Sequence, residues 1–209
     1  MAVSTTDIAN QALSHIKNST RISSFDEPTP EVDLIKLHYD TCRDEVMAAS
    51  NWGFASATVA AMPLPTTVGQ WAYAYSRPSD AIALRNILRT GETTQTSPEN
   101  RIAYAEVAGP TDGTVAIVTD EPIAWIEYTR RIENPSAYTP DFVTALGYRL
   151  AAAIAPALTK AKGASREMME LYAQALGSAR ARDKNSRRVL ISPRPSGIRA
   201  RTQSTVRSR

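Results

Sequence analysis

The side chains in this sequence with the clearest chemical potential are its arginines. Between Arg180 and Arg209 stand ten basic residues, Arg180, Arg182, Lys184, Arg187, Arg188, Arg194, Arg199, Arg201, Arg207 and Arg209, against a single acid, Asp183. That segment carries a net +9, and because the whole chain is only +3, the rest is an acidic body of −6. Guanidinium groups at this density bind phosphates or carboxylates. Val189-Leu190-Ile191 interrupts them, and an arm that only neutralised phosphate would have no use for an apolar tripeptide. Arg187, Arg188, Val189, Leu190 and Ile191 therefore read as a docking peptide that orders against an acidic partner, in the manner of an added strand, with Arg194, Arg199 and Arg201 extending the contact. Arg180, Arg182 and Lys184 are candidates for phosphate contacts. A tail that merely solubilises the chain is the bland alternative.

Catalytic chemistry has less support. His15 and His38 fall in separate helical stretches with no acid at a telling spacing, and read as structural. Asp40, Asp44 and Glu45 lie within a turn of one another, but Lys36 and Arg43 stand at pairing distance, which describes a solvated face. Cys42 lacks a basic partner that would mark it as a nucleophile and reads as a reduced core residue. The run from Gly109 to Gly113 has neither the lysine nor the spacing of a phosphate loop and reads as a turn. Met168 and Met169, and Trp52, Trp71 and Trp125 among Phe54, Tyr73, Tyr75 and Tyr128, read as packing. One cysteine and two histidines exclude a disulfide scaffold, a multi-cysteine metal centre and a site built of imidazoles. No catalytic residue, metal or cofactor is assigned, and the chain reads as a non-enzyme.

A chain of 209 residues with 43% hydrophobic side chains can build a core, so disorder throughout is excluded. Ser4 or Thr5, with Asp7, starts a helix whose stripe is Ile8, Ala9, Ala12, Leu13 and Ile16. Thr29-Pro30-Glu31 starts a second, carrying Val32, Ile35, Tyr39, Cys42 and Val46 to about Ser50. From Trp52 to Ile132 the punctuation is that of β structure, with strands expected at 71–75, 82–88, 102–107, 114–118 and 123–132 and a polar loop over 93–100. Thr139-Pro140-Asp141 repeats the earlier start signal, Pro156 is expected to kink or end that helix, and a fourth helix begins near Ser165. The expected fold class is α+β: an antiparallel helical bundle of about four helices, with a small antiparallel β-sheet or barrel insertion and a basic extended C-terminal arm. The divisions are 1–51, 52–133, 134–185 and 186–209. No stretch approaches the roughly 20 uninterrupted apolar residues of a membrane span, and the N-terminus lacks the pattern of a secretory signal, so a soluble chain made in the cytoplasm is expected.

Particular residues in this order resemble a known family. They are Ile8-Ala-Asn-Gln-Ala-Leu13, Arg43-Asp44-Glu45-Val46 followed by Asn51-Trp52-Gly-Phe54, and Trp71-x-Tyr73-x-Tyr75-x-x-Pro78-x-Asp80. Ile117-Val-Thr-Asp120 and Tyr128-Thr-Arg130-Arg131-Ile132-Glu-Asn134-Pro135 follow. The densest matches are Pro140-Asp-Phe142, Leu150 through Pro156 to Thr159, and Leu171-Tyr172 through Leu176 to Arg180-x-Arg182-Asp183. Over roughly Ala2 to Arg187 the chain resembles the tail tubular protein A family, the head-to-tail adaptor or connector proteins of tailed bacteriophages. The arm after Arg187 is outside the likeness, and Lys160-Ala-Lys-Gly163 is longer than the turn family members often have.

The resemblance implies a structural virion protein at the capsid–tail junction, assembled in the host cytoplasm. It implies a homo-oligomeric ring, of dodecamer type, beneath the portal protein. Such a ring extends the DNA channel, offers a surface to a downstream tail or nozzle protein and lets DNA pass without sequence specificity on its way to ejection. No membrane is involved. The rival expectation is a nucleic-acid-binding module that uses the basic arm, with Lys160, Lys162 and Arg166 adding phosphate contacts.

Overall fold

A computed structural model describes residues 3–65, 69–91, 101–159 and 161–186, with the side chains of 183–186 left aside. The fold is α+β, four helices and two small antiparallel sheets.

Helix α1 spans Thr5–His15 and opens with a capping box. The Asp7 amide donates to Ser4 Oγ (3.1 Å) while the Ser4 amide donates to the Asp7 carboxylate (2.9 Å), so two otherwise orphaned N–H groups are satisfied. Its buried face is Ile8, Ala9, Ala12 and Leu13. Helix α2, Pro30–Ala49, begins at Thr29, whose hydroxyl accepts the Val32 amide, and buries Val32, Ile35, Tyr39, Cys42 and Val46. Helix α3, Pro140–Leu158, buries Phe142, Leu146, Leu150 and Ile154; Thr139 takes the extended cap position but its side chain makes no capping bond, contrary to expectation. Helix α4 covers Ala164–Ser186.

Pro156 neither ends nor divides α3, which continues to Leu158. A proline at 156 cannot donate to the carbonyl of Ala152 one turn back. That acceptor is taken instead by the Ser165 hydroxyl of α4, at 2.8 Å. The backbone bond lost inside one helix is replaced by a side-chain bond from its neighbour. Among the described residues α3 is also the helix long and apolar enough to cross a bilayer, yet 56% of its most apolar window is buried inside the chain, as in a core helix.

Among the described residues between α2 and α3 lie seven strands: β1 Ser56–Ala60, β2 Met62–Pro63, β3 Tyr73–Ser76, β4 Ala81–Arg89, β5 Tyr104–Ala108, β6 Val115–Thr119 and β7 Ala124–Arg130. They form two sheets, ordered β1-β7-β4 and β2-β3-β6-β5, and every pairing is antiparallel. Neither sheet closes into a barrel among the described residues. The sheets share a small core, with Tyr75 and Ile117 from one meeting Ile87, Ile126 and Tyr128 from the other. The sequence missed β1 and β2. The 93–100 loop lies outside the described residues.

The larger core is helical. Trp52 donates its indole N–H to the Val46 carbonyl (2.7 Å) and packs edge-on against Phe142, with ring centroids 5.1 Å apart. Of the aromatics expected to pack, Trp52, Tyr75 and Tyr128 are buried, whereas Trp125 and Tyr73 are exposed. Met168 is buried and Met169 exposed.

Candidate interaction surface at the root of the arm

The helix directions follow from pairs along their lengths. In α2 and α3, the Cys42 thiol faces the Arg149 carbonyl while Trp52, just past α2, meets Phe142, so the two helices are antiparallel. Helix α4 is antiparallel to α3, since Ser165 reaches Ala152 at one end and Arg182 pairs with Asp141 at the other. Hence α4 runs parallel to α2. Its last turns finish where α2 hands the chain to the β strands.

Helix α2 arrives at that junction without a cap of its own. Its last turn holds no basic residue, and Ser50 at the C-cap is extended, so the final carbonyls lack intrahelical partners. Two arginines from distant parts of the sequence supply them. Arg85 of β4 points Nη2 at the carbonyls of Met47 (3.2 Å), Ala48 (2.9 Å) and Ser50 (2.8 Å), while its Nε donates to Thr129 Oγ1 of β7 (2.7 Å). Arg180 of α4 donates to the Ala49 carbonyl. Positive charge here also meets the negative end of the helix dipole. A shallow groove of about 260 Å³ lined by Trp52, Phe54, Thr139, Asp141, Ala179 and Arg182 adjoins these contacts.

Arg43 pairs with the neighbouring acids as their spacing predicts, and with Arg131 and Arg149 these pairs form a charge ladder on a face where Asp40 and Glu45 are exposed. Arg43 is 94% buried and holds Asp40 and Asp44 at 2.9 Å each. Asp44 also binds Arg131 (2.9 Å), and Glu45 binds Arg149 of α3 (2.6 Å). Cys42 beneath them is buried and its thiol is pushed up to about 11 by burial, so it is chemically quiet. Burial also raises Tyr138, whose hydroxyl donates to the Ile132 carbonyl at 2.8 Å. His15 stacks on Tyr148 with centroids 4.3 Å apart, and its Nε2 is enclosed without a hydrogen-bond partner; desolvation lowers its pKa.

Of the residues assigned from sequence, Arg187, Arg188, Val189, Leu190, Ile191, Arg194, Arg199 and Arg201 lie outside the described residues. Lys184 is in the last turns of α4. Arg180 and Arg182, read as phosphate contacts, are brought together at the root and have the protein partners just given. Lys160 lies outside the described residues, Lys162 is exposed, and Arg166 pairs with Glu170 at 3.2 Å. The 109–113 segment is the β5–β6 turn, with Gly109 N–H donating to the Thr114 carbonyl (2.8 Å) and Gly113 at φ 75°. Arg85 escaped the sequence reading because a lone arginine in a strand announces no role. Among the described residues no three His, Cys, Asp or Glu side chains group as metal ligands. The chemistry this surface offers is recognition by charge and backbone bonding.

Comparison with known proteins gives no family model that matches the chain and no matching curated protein.

Proposed function

We propose that the chain is a structural head-to-tail adaptor of a tailed bacteriophage, without enzymatic activity, that forms a ring beneath the portal, extends the DNA channel and attaches the tail. In this reading the four helices act as an antiparallel bundle carrying the β strands as an insertion, with residues 186–209 as a separate docking arm. The observation that carries it is the root geometry. Arg180 and Arg182 fix the end of α4 to α2 and α3, so residues 187–209, which carry +7, follow from one defined end of a body of −4. A ring of identical subunits needs two different complementary surfaces on each copy, and an anchored cationic arm with an anionic body supplies such a pair.

The test is assembly. A chain lacking residues 186–209 is expected to fold, by circular dichroism and thermal melting, yet to fail to join DNA-filled heads bearing the portal. Normal joining overturns the docking role. Tight binding of the free monomer to duplex DNA, with a steep salt slope and no ring on the portal, overturns the adaptor reading in favour of a nucleic-acid-binding module.

A further inference from the structure

Among the described residues the three-stranded sheet has an unpaired edge at β1. β1 pairs with β7 on one side only, in the register Ser56–Thr129 through Ala60–Trp125. The Ala61 amide donates to the Ala124 carbonyl at 2.9 Å, which fixes the alternation. Ala57 and Val59 bond toward β7, and the backbone groups of Thr58 and Ala60 point outward. No partner for the Thr58 or Ala60 amide occurs among the described residues.

Edge strands ordinarily discourage pairing with a charge, a proline or a bulge. Ser56-Ala-Thr-Val-Ala60 contains none of the three, and its register is unbroken. Its inner-face residues Ala57 and Val59 pack against the core between the sheets but stay partly exposed, and no described strand lies beside them on the open side. The edge therefore offers both backbone bonds and an unfinished apolar face.

We infer that the β1 edge receives residues 188–191, Arg-Val-Leu-Ile, from the arm of an adjoining copy, added as a fourth strand. Val189 and Ile191 fall on one face of an extended segment and continue the apolar row of Ala57 and Val59, while Leu190 lies beside Thr58 on the other. This is the arm's longest apolar run, and it begins two residues beyond Ser186, so at roughly 3.3 Å per extended residue the added strand requires the adjoining copy's β1 edge to lie within about 7 Å of the end of α4. The +7 arm and −4 body are complementary between copies. The inference rests on the ring reading and deepens it: a donated strand on one side and a free edge on the other is a heterologous contact that propagates from copy to copy.

Disulfide trapping tests it with full-length protein. Thr58→Cys and Leu190→Cys chains, separately tagged, are mixed and oxidised, alone and with portal rings. Ser19→Cys, on an exposed loop, replaces Thr58→Cys as control. The native Cys42 is buried and stays silent. A mixed disulfide roughly tenfold or more above control is expected, as for a contact held at high effective concentration. Thr58→Pro should abolish trapping of an Ala60→Cys partner by Arg188→Cys or Ser192→Cys, the positions opposite Ala60 in the two strand directions, without shifting the melting temperature, because the outward amide it removes bonds nothing among the described residues of the monomer. A yield equal to control overturns the inference. So does a Thr58→Cys/Leu190→Cys chain that closes on itself at high dilution, which makes its own arm the occupant. Rings on the portal without trapping defeat this inference and leave the adaptor reading standing; trapping without rings on the portal does the reverse.

Discussion

Arg85 is the side chain whose removal tests most of the architecture at once. Its guanidinium spans from β4 to the end of α2, where Nη2 serves three carbonyls between 2.8 and 3.2 Å and Nε holds Thr129 Oγ1 at 2.7 Å. Two N–H groups cannot satisfy three acceptors fully, so the set amounts to about three good charge-assisted bonds. The site is only part-buried, and water replaces some of what is lost, which brings each bond to about 1 kcal/mol. Arg85→Ala should then cost about 3 kcal/mol, lowering the melting temperature by roughly 6–12 °C for a chain of this length. Arg85→Lys keeps the charge at the helix end, worth about 1 kcal/mol, but cannot reach Thr129 and the carbonyls together, so about 2 kcal/mol should go. Urea unfolding with an unchanged m-value is the assay. A loss below about 1 kcal/mol for alanine, or a lysine variant as stable as wild type, refutes the argument that this arginine joins the sheet to the helices.

Two further outcomes follow from the packing. In a double-mutant cycle, Ser165→Ala should cost about 1 kcal/mol in the native background and much less beside Pro156→Ala, whose restored amide can bond the Ala152 carbonyl; equal costs in both backgrounds refute the replacement. His15 binds its proton less readily folded than unfolded, because its ring is desolvated against Tyr148. The unfolded chain therefore takes up that proton first, and stability should fall as pH drops below about 6.5, the ordinary histidine value. His15→Gln should flatten the urea midpoint between pH 7 and pH 5 relative to wild type, and an unchanged slope refutes the assignment.

Local signals were legible wherever a few neighbouring residues decide the outcome. Ser4 with Asp7, and Thr29 with Pro30, mark helix starts because capping is a short-range bond, and the aromatic alternation at Tyr73–Tyr75 marks a strand. β1 escaped because Ser-Ala-Thr-Val-Ala has little bulk and no strong alternation, so only its pairing with β7 makes it a strand. The division into two sheets depends on which strands pair across more than sixty residues, a choice no local pattern encodes. That α3 continues past Pro156 was not legible, because the remedy, Ser165, sits on another helix. At the candidate surface the charge of the arm was evident, but the groups of the body that meet the arginines at its root were not, because the Ala49 carbonyl and Asp141 lie 131 and 41 residues away.

The borrowed cap on α2 has a mechanical meaning. A pull on the chain beyond α4 meets Arg180 and Arg182, which pass it to the end of α2 and the start of α3, while the strands join α2 through a different arginine, Arg85.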